Sequence, residues 1–306
     1  MTRLQKNKNT VSSRAKPRDL SKSILQTLKY SDHFDFPLTL EELHSRLIRT
    51  PISQIGLTHQ IRLMLKTGTL AQSGNYYHLP GRSSLVTRRL SRAKLSVPQL
   101  SRARSLSSLL SSLSSILAIF LTGSLAMSNS HGNSDIDFMI ITKNNRLWTT
   151  RLFLTIYTTI LGLRRTPHSQ KNFGKLCLNL YLSPISYLLP PAKRSLYTAY
   201  ELIQAVPLYD PSDTRSALLA ANPWIHDYLP NFPLPSPTGS DPEGSAQPRP
   251  QHKRGGSDPI GTFIESICYH LQYLYMKNKI TREYITKDAA FFHPHDPGKK
   301  VLKLIH

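Results

Sequence analysis

A Gly-Ser pair and two aspartates, each next to an apolar segment, constrain this chain more than any other feature. Gly123 and Ser124 follow one apolar segment, and after ten intervening residues Asp135 and Asp137 precede another. Side chains alternate along a β-strand, so the two carboxylates are expected on one face and Ile136 on the other. Two adjacent carboxylates repel each other unless a cation lies between them, and oxygen ligands suit Mg²⁺ or Mn²⁺. The pattern therefore predicts a turn and a metal site on neighbouring strands.

This pattern resembles the motif of the DNA polymerase β-like nucleotidyltransferase superfamily: an apolar strand, Gly-Ser, a spacer of about this length, and Asp-x-Asp flanked by apolar residues. The resemblance implies that Gly123 and Ser124 open a short helix and meet the phosphates of a nucleotide. It also implies that Asp135 and Asp137 hold Mg²⁺ or Mn²⁺, which neutralises charge as the α-phosphorus is attacked. The expected activity is transfer of a nucleoside monophosphate from an NTP, with ATP as the assumed donor, to a hydroxyl acceptor.

The strand expected to supply a third carboxylate has none. Active members of the superfamily usually carry a third acid on a later strand, but segment 175–183 contains neither Asp nor Glu. Asn179 occupies the corresponding position and is assigned as a metal ligand through its amide oxygen, although an amide cannot act as a base. A substrate phosphate, water or an acid from elsewhere (Asp210, Asp213 or Asp296) could substitute for it. The alternative is a noncatalytic binding or regulatory protein that keeps the fold and engages nucleic acid or a protein partner.

Charge and cysteine content narrow the class of protein. The chain has 39 Lys and Arg against 18 Asp and Glu, a formal net charge of +21, which favours an anionic partner: nucleic acid, nucleotides or an acidic protein surface. The basic residues of segment 86–94 are interpreted as a solvated helix face, with contact to nucleic acid or a triphosphate as the alternative. Only Cys177 and Cys268 are present, which fits a reducing, cytoplasmic setting without disulfides.

Neither a leader nor a membrane span is expected. The first residues are polar and charged, with no apolar core of a secretory signal. The most apolar helical segment, 152–163, is shorter than the ~20 residues that a membrane span needs. A membrane-surface helix is the alternative interpretation of this segment.

The element pattern predicts an α+β protein, with a small mixed sheet and flanking helices preceded by a winged-helix module. Three helices and a hairpin account for the module, and segment 30–39 resembles the amino-terminal extension of a group of bacterial nucleotidyltransferase-domain proteins. The expected organisation is a basic disordered tail (1–20), the winged helix (21–81), the nucleotidyltransferase domain (82–229), a low-complexity linker (230–259) and a C-terminal helical segment (260–306).

The third helix of the module, expected over 53–67, could read DNA or dock a protein. Its candidates for DNA contact are His59, Gln60, Arg62 and Lys66.

Finer patterns give further expectations. A helix over 147–163 is expected to bury one face, and strand 175–183 is expected to place its leucines on one face. Cys177 is interpreted as a small core residue, and segment 293–296 as a solvated loop instead of a metal site. The expected helix face consists of Trp148, Leu152, Ile156, Thr159 and Leu163, and the expected strand face of Leu176, Leu178, Leu180 and Leu182.

Overall fold

The computed structural model describes residues 17–165, 173–235, 258–280 and 283–292. Segment 293–296, including Asp296, and the expected last helical turn at 299–304 lie outside the described residues. Most of the expected tail and most of the expected linker also lie outside them.

Most of the described helices and strands lie close to the predicted positions, but the strands at Val206–Tyr209, Tyr284–Ile285 and Ala289–Phe291 were not predicted. The last two lie in the expected C-terminal helical segment and instead extend the sheet beside the strand Leu176–Leu182. The helices are α1 (Pro17–Asp32), α2 (Leu40–Ser45), α3 (Gln54–Lys66), α4 (Ser84–Leu110), α5 (Gly123–Ala126), α6 (Leu147–Ile160), α7 (Leu196–Gln204), α8 (Thr214–Ala220), α9 (Ile225–Tyr228) and α10 (Pro259–Met276). The strands are β1 (Ala71–Ser73), β2 (Tyr76–His78), β3 (Ile116–Thr122), β4 (Ile136–Thr142), β5 (Leu176–Leu182), β6 (Val206–Tyr209), β7 (Tyr284–Ile285) and β8 (Ala289–Phe291).

Among the described residues, six strands form one mixed sheet in the order β6-β3-β4-β5-β8-β7. The β4–β5 pair is parallel, and the other neighbours are antiparallel. This confirms the predicted α+β architecture with a small mixed sheet. The central strands β3 and β4 are adjacent, so the Gly-Ser turn after β3 and the aspartates at the start of β4 meet at one edge.

Apolar cores cover both faces of this sheet. Phe120 and Met139 pack on one face with residues of α7, α8 and α9. Ile119 and Phe138 pack on the other face with residues of α4, α6 and α10. Strands buried on both faces read as continuous apolar runs, which is why the two segments were recognisable in the sequence.

The N-terminal module has its own core and the expected element order. Helices α1 to α3 and the antiparallel hairpin β1–β2 pack around Ile24, Leu43 and Leu57. A capping box begins α2: the Thr39 hydroxyl accepts from the Glu42 amide, and the Glu42 carboxylate accepts from the Thr39 amide. The identification of this module as a winged helix stays a prediction.

One of the four residues expected to contact DNA does not face solvent. Gln60 is buried and its Nε2 donates to the Ser21 hydroxyl at 2.8 Å, because α3 packs this side against α1. His59, Arg62 and Lys66 are exposed.

The expectation that the arginines at the start of α4 form a solvated face is wrong, because they pair with acids of the N-terminal module. Arg89 donates to both carboxylate oxygens of Glu42, at 2.7 and 2.8 Å. Arg88 and Arg92 both pair with Asp35, at 2.9 and 3.0 Å. These three arginines therefore hold the N-terminal module against α4, because Asp35 and Glu42 of that module lie opposite them.

Helix α6 is rotated relative to the predicted face. Ile156 is 51% exposed and Thr159 is also exposed, whereas Leu154 and Thr158 are buried. The rotation is fixed at the start of α6, where Glu265 of α10 accepts hydrogen bonds from two consecutive backbone amides at 2.6 and 2.9 Å. Since α10 packs along α6, a face adjacent to the predicted one becomes the buried face.

The predicted leucine face of β5 is wrong because the strand contains a bulge. Phe138 of β4 is opposite Leu178, but the next residue, Met139, is opposite Leu180. Asn179 is the extra residue, and it reverses the alternation. Leu178 consequently packs on the face covered by α6, and Leu180 packs on the opposite face.

Within the described ranges no helix has the length and apolarity that a membrane span requires.

Candidate functional site

The Gly-Ser turn lies directly against the second aspartate. Strand β3 ends at Thr122, and α5 begins at Gly123, as the resemblance implied. Gly123 has a φ of 67°, in the left-handed region that glycine adopts without strain. A Cβ at this position would overlap the Oδ2 atom of Asp137. Glycine therefore allows both the turn and the close approach of the backbone to the carboxylate.

The two aspartates lie together, as predicted. Asp135 precedes β4 and Asp137 lies within it, and both are half-buried. One carboxylate oxygen of each lies within 4.8 Å of the other and of the Cys177 sulfur. Ile136 is fully buried in the opposite core, which confirms the expected alternation.

Arg165 holds the first aspartate, and sequence reasoning did not identify it. Its Nη1 donates to Oδ2 of Asp135 at 2.6 Å. Its backbone amide donates to the carbonyl of Leu176 at 2.9 Å, which places it at the beginning of β5. The parallel pairing of β4 with β5 brings this end of β5 next to Asp135. A cation in the connection between α6 and β5 was the available signal, but the pairing of β5 with β4 was not known from the sequence.

The site carries excess negative charge. The pKa of Asp137 is raised from 3.8 to about 7, mainly by burial and then by the charges of Asp135 and Glu201, which together outweigh the lowering effects of Cys177 and Arg165. A nearby cation stabilises the ionised form of a carboxyl group whose pKa is raised in this way. The donor chemistry of Asp135 and Asp137 fits a divalent metal ion that prefers oxygen ligands.

Cys177 belongs to the site and not to the core, contrary to the interpretation from its sequence position. Its side chain is hydrogen-bonded to that of Asp137. Burial, followed by the charge of Asp137, raises the pKa of the thiol well above its usual value. A protonated thiol is a poor nucleophile and a poor ligand for Mg²⁺, so Cys177 acts here as a neutral neighbour of the carboxylate.

Asn179 also contacts Asp137. Its Nδ2 donates to Oδ1 of Asp137 at 3.2 Å, and the β5 bulge places it on that face. In this arrangement the amide orients the carboxylate as a donor, and its predicted role as a metal ligand stays a prediction.

Glu201 of α7 is a further acid near this region, and it was missed from the sequence. Its charge contributes to the raised pKa of Asp137. The acids considered as substitutes are placed elsewhere or outside the described residues: Asp210 accepts from the amides of Thr214 and Arg215 and so caps α8. Asp213 directly precedes α8. Glu201 is the single acidic residue of its helix, but nothing in the sequence indicated which way that helix faces.

A cavity of about 370 Å³ opens beside the Gly-Ser turn. Gly123 and Ser124 form part of its lining. The N-terminal module, α4 and α7 supply further walls, which include His33, Phe34, Arg92, Tyr197, Tyr200 and Glu201.

Comparison with known families agrees with this geometry. Residues 104–170 match the family model described as Polymerase beta, Nucleotidyltransferase. The matched segment includes the Gly-Ser turn, both aspartates and Arg165. No curated protein and no solved structure matches the chain. Residues 104–170 therefore match a nucleotidyltransferase domain, and this match, with the mixed sheet and the placement of the motif, supports the polymerase β-like superfamily.

Proposed function

We propose that this protein transfers a nucleoside monophosphate from an NTP to a hydroxyl acceptor and releases pyrophosphate. The observation that carries the proposal is the contact of Gly123 with Asp137, next to Asp135, within the segment that matches the family. A turn that can meet phosphates and two carboxylates that can hold a cation are the two parts that the reaction needs.

The residues of the chain would divide the work as follows. Asp135 and Asp137 would hold Mg²⁺ or Mn²⁺, which when bound neutralises negative charge on the phosphates. Gly123 and Ser124 would position the triphosphate. Arg165 orients Asp135, and Asn179 orients Asp137.

Glu201 would replace the acid that β5 lacks. It lines the cavity beside the Gly-Ser turn and lies near enough for its charge to act on Asp137. A carboxylate in this position would accept the proton of the acceptor hydroxyl as that oxygen attacks in line.

The test is transfer of label from α-labelled NTPs, with Mg²⁺ or Mn²⁺, onto the protein itself and onto components of a bacterial extract. The wild type should incorporate label, and the double variant Asp135→Ala/Asp137→Ala should not. Glu201→Gln should keep NTP binding but transfer label at least ~100-fold more slowly, a typical effect of removing a general base. Asp227→Ala is the control, because Asp227 is an exposed acid of α9. Equal incorporation by the wild type and the double variant would contradict the proposal.

The second candidate function is a noncatalytic protein that binds a nucleotide, nucleic acid or a protein partner. The observation that favours it is Asn179, an amide on the strand where active relatives usually place a carboxylate. NTP binding that disappears on metal removal, without any transfer, would support this candidate. Nucleic-acid binding through phosphate contacts would instead weaken steeply with added salt.

A further inference from the structure

The cavity beside the Gly-Ser turn is closed by the N-terminal module. Tyr30 of α1 stacks on Tyr200 of α7, with ring centroids 4.1 Å apart and planes inclined by 12°. Both rings are buried, and the Tyr200 hydroxyl donates to the Arg46 carbonyl at 2.8 Å. The module therefore forms a fixed wall of the cavity, although the proposed chemistry requires only the sheet domain.

The loop between α1 and α2 presents an aromatic side chain at this cavity. Phe34 is 37% exposed, and its ring contacts those of Tyr30 and His33 with centroid distances of 5.4 and 5.0 Å. The side chain lines the cavity without being part of the core of the module. A large apolar ring left partly in water at the edge of a cavity is a candidate platform for a ligand.

Several contacts hold this loop in place relative to the Gly-Ser turn. Nδ2 of Asn129, a few residues after α5, donates to the Phe34 carbonyl at 2.8 Å. Asp35 has a φ of 53°, which few residues other than glycine adopt, and its carboxylate pairs with Arg88 and Arg92. The backbone at Phe34 is therefore held in place before any ligand arrives, which lowers the entropic cost of binding.

The charges around the cavity suit a neutral group better than a polyanion. Arg92 is paired with Asp35 and also donates to Asn129 at 3.2 Å. Arg46 lies 3.8 Å from the Glu42 carboxylate. Phosphates would gain little from cations that already have carboxylate partners, whereas aromatic walls offer a stacking surface to a planar base. A volume of about 370 Å³ falls within the usual range of small-molecule sites.

We propose that this cavity binds the nucleoside part of the NTP, with the base against Phe34 and the phosphates at Gly123 and Ser124. This inference rests on the proposed function. It assigns the N-terminal module a direct role in nucleotide binding, whether or not α3 also contacts nucleic acid.

The experiment measures binding of the four common ribonucleoside triphosphates and of inorganic tripolyphosphate, each with Mg²⁺, by titration calorimetry. Phe34→Ala should weaken binding of the preferred NTP by roughly 5- to 100-fold, the usual effect of losing one base-stacking ring, and should leave tripolyphosphate binding unchanged. Phe34→Tyr, which keeps the ring, should retain most of the affinity. Phe263→Ala is the matched control, because Phe263 is a 67% exposed ring on α10.

The outcomes separate this inference from the proposed function. A folded Phe34→Ala variant with unchanged NTP affinity would overturn the inference, and the proposed function would stand if transfer persisted. The same holds if Phe34→Ala raises only the KM for the acceptor, since the cavity would then belong to the acceptor. If the wild type binds neither NTP nor tripolyphosphate in the presence of Mg²⁺, that result would instead contradict the proposed function itself.

Discussion

Two constraints favour glycine at position 123, the positive φ and the close approach of the Asp137 carboxylate, and mutation can separate them. Gly123→Ala would strain the backbone by about 1–2 kcal/mol, because its φ is 67°. It would also displace the Asp137 carboxylate, whose position overlaps that of the added methyl group. We expect loss of NTP binding and at least ~100-fold slower transfer, since small displacements at a reacting centre are costly.

Gly74→Ala is the matched control for Gly123→Ala. Gly74 has a φ of 58° with open space around the position of a Cβ, so it should lose similar stability without any effect on binding. Urea denaturation and calorimetric titration would check both properties. Equal loss of binding in the two variants would argue that backbone strain, and not contact with Asp137, is responsible.

The raised pKa of Asp137 makes the stability of the metal-free protein depend on pH. The folded protein binds this proton more tightly than the unfolded chain, because the pKa rises from 3.8 to about 7. The contribution of Asp137 to stability is therefore fully present at low pH and is lost as the pH rises through about 7. We expect the free energy of unfolding of the wild type, relative to that of Asp137→Asn, to fall by about 3 kcal/mol between pH 5 and pH 8.

Urea denaturation at several pH values, with a chelator present, would measure this difference. Asp227→Asn should follow the wild-type profile, because Asp227 is exposed on α9. Added Mg²⁺ should stabilise the wild type at pH 8 more than it stabilises Asp137→Asn, since binding requires the ionised carboxylate. Parallel pH profiles for the wild type and Asp137→Asn would contradict the expected shift.

At the scale of elements, the features set by local sequence were predicted, and the features set by long-range pairing were not. The strands flanking the motif and the capping box at Thr39 and Glu42 follow from apolar runs and side-chain chemistry, which are local properties. The bulge at Asn179 follows from the pairing of β5 with β4, which no pattern in 175–183 indicates. The rotation of α6 depends on Glu265, more than a hundred residues away in the chain.

The residues of the candidate site also fall into a group that is close together in the sequence and a group that is brought in by tertiary structure. Gly123, Ser124, Asp135 and Asp137 lie in one short segment, so their spacing alone predicted that they meet. Arg165, Cys177 and Glu201 reach the aspartates through strand pairing and helix packing. Their identities carried no signal without the topology. Long-range placement is therefore what sequence reasoning could not supply for this site.

At the scale of the whole molecule, the N-terminal module has its own core but also contributes residues to a core of the sheet domain. Tyr30 and Ile48 of the module belong to the apolar cluster on one face of the sheet. The Arg49 amide donates to the Tyr228 carbonyl at 2.8 Å. Asn231 accepts from the Ile52 amide through its Oδ1 and donates from Nδ2 to the Thr50 carbonyl, both at 2.9 Å. Such contacts predict that the two parts unfold together.

Tryptophan fluorescence would report only on the sheet domain, because both tryptophans, Trp148 and Trp224, lie there. Hydrogen exchange can check this prediction, because it reports on amides in both parts. Core amides of α1 and of β4 should exchange with the same free energy of opening in the wild type, since a shared core opens as one unit. Asn231→Ala should lower that free energy by roughly 2 kcal/mol for the α1 and the β4 amides alike, because it leaves backbone groups of the module unpaired. Asn75→Ala, at an exposed turn position, should leave it unchanged. Exchange of the α1 amides at a much lower free energy than the β4 amides in the wild type would mean that the module opens independently, and a fixed nucleotide cavity between the two parts would then lose its structural support.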